Sequence, residues 1–238
     1  MKKNFLFLVV LAICICSTTI KAQQNVVKLN LTSLALMNPS LIYERALNEN
    51  MSVNLHIQYL LPRGLPSLSF ASEDTSVQFS SFKMSGISVV PEFRMYLSSE
   101  KEAPRGFYIA PYFRYSNYGA TSTYAYDEDS CTNRAMLDTK FNISYIGGGL
   151  TIGAHWLIND KVSVDWWFVG FGYGTVTSTV RVTGELQCDT YEQVRGSYET
   201  EVSDYGNVTT SVGSDFAQVV IKRGLPGVRG GISIGYAF

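Results

Sequence analysis

From residue 26 onwards, large apolar residues recur at every second position through one segment after another. The last segment shows it most plainly. Ile232, Ile234, Tyr236 and Phe238 share one parity, and Gly231, Ser233, Gly235 and Ala237 share the other. Successive side chains of a strand point to opposite faces, so such a segment has one large apolar face and one small face. The same reading predicts strands near 26–36, 40–47, 51–60, 84–98, 106–118, 141–158, 161–174 and 225–238. In 51–60, Val53, Leu55, Ile57 and Tyr59 oppose Asn54, His56 and Gln58. In 84–98, Ile87, Val89, Phe93 and Met95 oppose Glu92 and Arg94; in 106–118, Phe107, Ile109, Phe113 and Tyr115 oppose Tyr108, Tyr112 and Arg114. In 161–174, Val162, Val164, Trp166 and Phe168 oppose Asp165. Segment 141–158 breaks the rule: Phe141, Ile143 and Tyr145 have the parity opposite to Leu150, Ile152 and Trp156. A bulge or kink at Gly147-Gly148-Gly149 is expected to reset the alternation there.

The connections sort by length. Asn48-Glu49-Asn50, Ser98 to Pro104 and Asn159-Asp160 are short, whereas 61–83, 119–140 and 175–224 are long and polar. Apart from the small turn at Met37-Asn38-Pro39, short and long alternate. Parts of 178–222, such as Thr179-Val180-Arg181-Val182, alternate weakly enough to extend a hairpin. No internal repeat of fixed period suggests a propeller or solenoid.

The N-terminus sets the compartment. Lys2 and Lys3 precede an apolar run from Phe5 to Cys16, and Ala22 stands before Gln23, which predicts a signal peptide over 1–22. The run falls short of the ~20 residues of a transmembrane helix. Cys14 and Cys16 lie in it, but Ile13 and Ile15 occupy the places where lipid attachment wants a small residue. The exported remainder, 23–238, has no long apolar stretch, so it could cross a bilayer only as a closed barrel with every backbone group paired. Short turns on one side and long loops on the other are the pattern of such a barrel. A soluble sandwich, the alternative for the same strands, has no reason to sort its loops this way. The expected fold is all-β, an eight-stranded antiparallel up-and-down transmembrane β-barrel in the bacterial outer membrane, its loops extracellular and both termini periplasmic.

Charge then orients the strands. An Arg or Lys facing lipid at the midplane costs ~2–4 kcal/mol in a barrel. This places Glu44, Glu92 and Asp165 inside with Arg94, Arg114 and Arg229, three acids facing three arginines. Buried charges must pair, so a structural network filling the lumen is expected, with a selectivity filter or proton path as the functional alternative. Eight strands leave an interior just wide enough for side chains, which argues against a diffusion pore. Tyr59, Tyr96, Phe107, Tyr115, Tyr118, Trp156, Trp166 and Tyr236 fall near strand ends, as interfacial girdles do.

Candidate chemistry changes little. Loss of Lys2, Lys3 and Lys21 with the leader lowers 19 basic residues to 16 against 20 acidic ones, and no basic patch points to nucleic acid. Cys131 and Cys188 survive cleavage in polar segments; they form either a disulfide between loops or two free thiols. His56 and His155 read as hydrogen-bonded fillers. No nucleophile-elbow serine is present, and Gly147-Gly148-Gly149 lacks the lysine and helix start of a phosphate loop. Asp127-Glu128-Asp129 reads as a solvated acidic loop rather than a hard-cation site. No catalytic residue, cofactor or metal is expected.

The segments Lys28-Leu29-Asn30-Leu31, Ser40-Leu41-Ile42-Tyr43-Glu44-Arg45-Ala46-Leu47, Pro91-Glu92-Phe93-Arg94-Met95-Tyr96-Leu97 and Arg105-Gly106-Phe107-Tyr108-Ile109-Ala110-Pro111-Tyr112 give the chain a family likeness. It resembles small eight-stranded outer-membrane barrels of the OmpA/OmpX type, and still more closely uncharacterised barrels of Gram-negative bacteria. The resemblance implies that Tyr236 and Phe238 form the terminal aromatic signal read by the barrel-assembly machinery. It implies fold and location but lends no catalytic residues. The expected function is therefore structural or interactive and non-catalytic. The partners would be outer-membrane lipid, the assembly machinery, and a surface or envelope protein met by the loops. An outer-membrane enzyme of lipid acyltransferase or protease type, or a narrow channel, are the alternatives.

Overall fold

The computed structural model describes residues 25–35, 38–65, 69–72, 75–97, 103–126, 135–184, 207–213 and 216–238. The predicted leader and both Cys131 and Cys188 lie outside them. The elements are β1 (Asn25–Asn30), α1 (Leu31–Ala35), β2 (Ser40–Asn48), β3 (Met51–Leu65), β4 (Ser69–Ser72), β5 (Thr75–Tyr96), β6 (Gly106–Tyr126), β7 (Ala135–Ile158), β8 (Val162–Thr183), β9 (Asn207–Val212) and β10 (Phe216–Ala237).

The chain is nearly all β, and every strand pairing is antiparallel. The hydrogen-bonded path runs β1-β2-β3-β5-β6-β7-β8-β10-β9, and pairing of β1 with β10 turns it back on itself. β4 lies beside β5 and β9 beside β10, so the closed cycle itself passes through β1, β2, β3, β5, β6, β7, β8 and β10. The seam is sealed where Asn25 and Phe238 exchange backbone hydrogen bonds of 3.2 and 2.8 Å. Among the described residues, no helix is long and apolar enough to cross a membrane, which says nothing about strands.

Local chemistry explains the turns. Asn159 and Asp160 both have positive φ, 50° and 57°, as a tight hairpin turn requires. Asn and Asp tolerate that region better than other non-glycine residues. The predicted strand over 26–36 stops at Asn30 instead, because the Asn30 side chain accepts a hydrogen bond from the Ser33 backbone N–H (3.1 Å) and so caps α1.

The segments expected as long loops are largely strand. β5 begins at Thr75, β6 runs to Tyr126, β7 begins at Ala135, β8 runs to Thr183 and β10 begins at Phe216. Their alternation weakens because the polarity of the two faces changes along each strand. On β7 the outward residues are Trp156, Ile152, Leu150 and Ile146, then Ser144, Asn142, Lys140 and Asp138. The inward residues go the other way, from His155 and Thr151 to Tyr145, Ile143 and Phe141. The β6–β7 register is continuous through Gly147-Gly148-Gly149, so the expected reset by a bulge does not occur. Neighbours switch at the same level: Tyr115 on β6 is followed outward by Asn117, Tyr173 on β8 by Thr175, and Ile87 on β5 is preceded by Ser85 and Lys83.

The register shifts lie elsewhere. One is in β8 at Phe168, between the pairs Ile152–Val169 and Gly153–Trp167, and another is in β3 between Leu60 and Arg63, where Pro62 cannot donate to the ladder.

Below the switch the molecule is inside out. Lys28, Glu44, Asp165, His155 and Ser163 have no exposed side-chain surface, whereas Leu29, Leu41, Phe107, Phe113, Leu150 and Trp166 on the outer face are each about half exposed or more. A water-soluble monomer rarely leaves more than a few hundred Å² of contiguous apolar surface exposed.

Candidate functional site: the charged interior

The inward parity of each strand of the cycle delivers polar side chains to one place. Lys28 comes from β1, Glu44 from β2, Asn54 and His56 from β3, and Glu92, Arg94 and Tyr96 from β5. Tyr108 comes from β6, His155 from β7, Ser163 and Asp165 from β8, and Arg229 from β10.

Two cations hold the centre. Lys28 Nζ lies 2.5 Å from Glu44 and 2.6 Å from Asp165. Arg94 donates to Glu44 at 3.0 Å, to Asp165 at 2.7 Å and to Glu92 at 3.0 Å, with its guanidinium 4.3 Å from the Tyr108 ring centroid. Arg229 binds the other oxygen of Glu92 at 2.5 Å and stacks over Tyr112 at 4.9 Å. Hydroxyls complete the acids: Tyr96 and Ser52 each donate to Glu44 at 2.5 Å, and Tyr108 donates to Asp165 at 2.9 Å. Three carboxylates thus face three cations, Lys28, Arg94 and Arg229. Buried charge persists only when paired and hydrogen-bonded, and this cluster meets that condition without outside help.

Five of the six residues expected in the lumen, Glu44, Glu92, Arg94, Asp165 and Arg229, meet here. Arg114 does not join them. It lies on the inward face two residues above Tyr112, and its Nε is buried without a hydrogen-bond partner among the described residues. Lys28 takes the third cationic place. Sequence reasoning missed it, although Val26, Lys28 and Asn30 against Val27 and Leu29 carry the usual alternation. Tyr96 also moves: expected in an interfacial girdle, it is buried beside Glu44 because its parity matches Glu92 and Arg94. Tyr118 likewise shares the inward parity of Ser116. Tyr236 and Phe238 lie exposed on the outward face beside the seam.

One arrangement has the order of a hydrolytic relay. Ser163 Oγ is 2.7 Å from His155 Nε2, and His155 Nδ1 is 3.3 Å from the Tyr96 hydroxyl and 3.6 Å from Glu44. Such an order is what a serine nucleophile and its base use, but Ser163, His155, Glu44 and Tyr96 are all buried away from solvent. A second pair, Ser40 with His56, is buried too, with Trp167 edge-on to the imidazole at 6.1 Å. Neither serine reaches a surface from which a substrate could approach. Among the described residues no three His, Cys, Asp or Glu side chains are disposed to hold a metal ion.

A family model described as "Protein of unknown function (DUF3575)" matches residues 7–200, most of the chain. The chain belongs to the DUF3575 family. The match takes in β1 to β8 and stops before β9 and the closing strand β10. No curated protein and no solved structure matches. Membership in DUF3575 together with an all-strand antiparallel sheet fits the resemblance to uncharacterised β-barrel proteins, and it brings no catalytic residue.

Proposed function

We propose that this protein is an integral outer-membrane β-barrel, eight-stranded and up-and-down, with a plugged interior and a non-catalytic role in surface interaction. The observation that carries this reading is the coordinated switch of polarity along β5 to β8. Below Ile146, Tyr115 and Tyr173 the outside is apolar and the inside charged; above them the outside is Ser, Thr, Asn and Lys. A strand crossing from lipid into water would change in this way without any change of register. Apolar outward stretches such as 87–95 and 107–115 suit the ~9–11 residues of a transmembrane strand.

On this reading β5 to β8 and β10, at 21 to 24 residues each, continue well beyond the lipid. They would hold the connecting segments away from the membrane on a rigid wall, which favours recognition of a surface or envelope protein. The likeness to the OmpA/OmpX type, the periplasmic termini, and the reading of Tyr236 and Phe238 by the assembly machinery belong to the same proposal. The paired, buried charges across the interior speak against a conducting channel, and the enclosure of Ser163 and Ser40 speaks against acyl transfer or proteolysis.

The test is fractionation of expressing cells with electrophoresis before and after boiling. A band in the outer membrane that migrates faster unboiled is expected; an unshifted protein in the soluble periplasmic fraction would overturn the reading. Planar-bilayer recordings of the purified protein should show no channel steps.

A further inference from the structure

Above the switch the outer wall carries its charges in one row across the strands. Lys83 of β5 stands opposite Thr121 of β6, and Thr121 opposite Lys140 of β7. Lys140 stands opposite Arg181 of β8, and Arg181 opposite Gln218 of β10. All five share the outward parity of Ile87, Tyr115, Ile146, Tyr173 and Val228 on their own strands. Lys222 is outward too, opposite Thr177. Beyond the switch, Asp138 is the one acid on this wall among the described residues, and it accepts a hydrogen bond from Thr123 Oγ1 at 2.8 Å. Basic and acidic residues nearly balance over the whole chain, 19 to 20, so a wall with four cations and one acid is strongly one-sided.

The centre of the row is a pair of like charges. Residues directly opposite in an antiparallel pair have Cβ atoms about 4.5–5.5 Å apart, and like charges there are destabilising. Lys140 and Arg181 occupy such a pair. Arg181 is also oriented, with its guanidinium over the Phe216 ring at 4.3 Å from the centroid. A stacked guanidinium keeps its edge N–H groups for an oxyanion, and phosphate fits that fork. Thr121, Thr177 and Gln218 show that neutral polar residues suffice on this wall. An anion seated between Lys140 and Arg181 turns their repulsion into two attractions.

The height of the row selects the anion. Lys83 lies four residues beyond Ile87 and Lys222 four beyond Pro226, while Lys140 lies six beyond Ile146 and Arg181 eight beyond Tyr173. At ~3.3 Å per residue and a strand tilt of ~40°, each residue adds about 2.5 Å of height. The cations then stand about 10 to 20 Å outside the hydrocarbon. The headgroup zone of a phospholipid leaflet is only ~5–8 Å deep. Phosphate at the height of this row has to be carried on a headgroup larger than a phospholipid's.

We infer that the row is a binding surface for an outer-leaflet glycolipid whose saccharide headgroup carries phosphate, with Lys140 and Arg181 holding one phosphate group between them. This rests on the membrane reading above. Lys83 and Lys222 flank the pair, and Thr121 and Gln218 offer hydrogen bonds to sugar hydroxyls.

The test uses the full chain, purified folded in detergent, and native mass spectrometry. Four probes are compared: a rough-type lipopolysaccharide with a phosphorylated core, the same glycolipid after removal of its phosphates, phosphatidylglycerol, and inorganic phosphate. The phosphorylated glycolipid should be retained roughly tenfold more tightly than either its dephosphorylated form or phosphatidylglycerol. K140E and R181Q should each lose that preference. K161E, the same charge change in the turn at the opposite end of the barrel, should keep it. Lys140 and Lys161 are both exposed, so both lysine variants should keep the parent's faster migration when unboiled. Equal retention of the phosphorylated and dephosphorylated glycolipids would overturn the proposal, as would equal retention of phosphatidylglycerol. An unaffected K140E, or displacement of the glycolipid by equimolar inorganic phosphate, would overturn it too. A heat-modifiable membrane protein without the preference overturns the glycolipid surface alone, and a protein that never enters the membrane overturns both readings.

Discussion

Lys28 and Asp165, from strands that are not neighbours in the sheet, meet at 2.6 Å with both side chains fully enclosed. β10 lies between their strands, so the contact spans the interior rather than the wall. Lys28 also holds Glu44, so it bridges the same two acids as Arg94. Replacing Lys28 by Met should therefore leave Glu44, Glu92 and Asp165 facing only Arg94 and Arg229, one buried charge unmatched, and destabilise the fold by about 3–5 kcal/mol. Urea unfolding of the folded protein in detergent measures this. A loss below about 1 kcal/mol, the scale of an exposed ion pair, would show that the cluster does not hold the interior together.

The level at which the outer face turns polar makes a second prediction. Leu150→Lys places a charge in the apolar band and should cost ~2–4 kcal/mol or block assembly. Ser144→Lys lies on the same face of the same strand above the switch, and it should change stability by less than about 0.5 kcal/mol. Equal effects of the two substitutions would place no boundary between them.

Ser163 and His155 carry a third. If their hydrogen bond serves only the interior, Ser163→Ala should leave the outer-membrane lipid composition and the protease profile of cells identical to those with the parent protein. It should weaken folding by about 1–3 kcal/mol, the cost of stranding a buried partner. A change in either profile at unchanged folded yield would make Ser163 a nucleophile instead.

Much of this was legible in the sequence, and the failures have physical causes. The alternation of Val53, Leu55 and Ile57 against Asn54 and His56 is simple because one environment lies on each side of the strand throughout that stretch. Phe141, Ile143 and Tyr145 break the parity because the environment is not constant along the strand: the chain keeps its register through the glycines while the polarity of its two faces inverts. The polar Ser, Thr and Asn of 175–183 read as loop for the same reason, since strand residues above the switch need no apolar outer face. Lys28 was hidden by extending its strand through Leu31 to residue 36, past the Asn30 cap. Arg114 and Arg229 look identical by parity. Only the three-dimensional arrangement shows that Glu92 pairs with Arg229 and not with Arg114.

The most direct test of the membrane-spanning account is cysteine accessibility along β7 in intact outer membranes. On a background without Cys131 and Cys188, single cysteines at Ile152, Leu150, Ile146, Ser144, Asn142 and Lys140 would be exposed to a membrane-impermeant maleimide. Protection at the first three positions and labelling at the last three is expected, with the change between Ile146 and Ser144. Uniform labelling of all six would contradict a lipid boundary at that level, and with it the reading of this closed sheet as a barrel in the outer membrane.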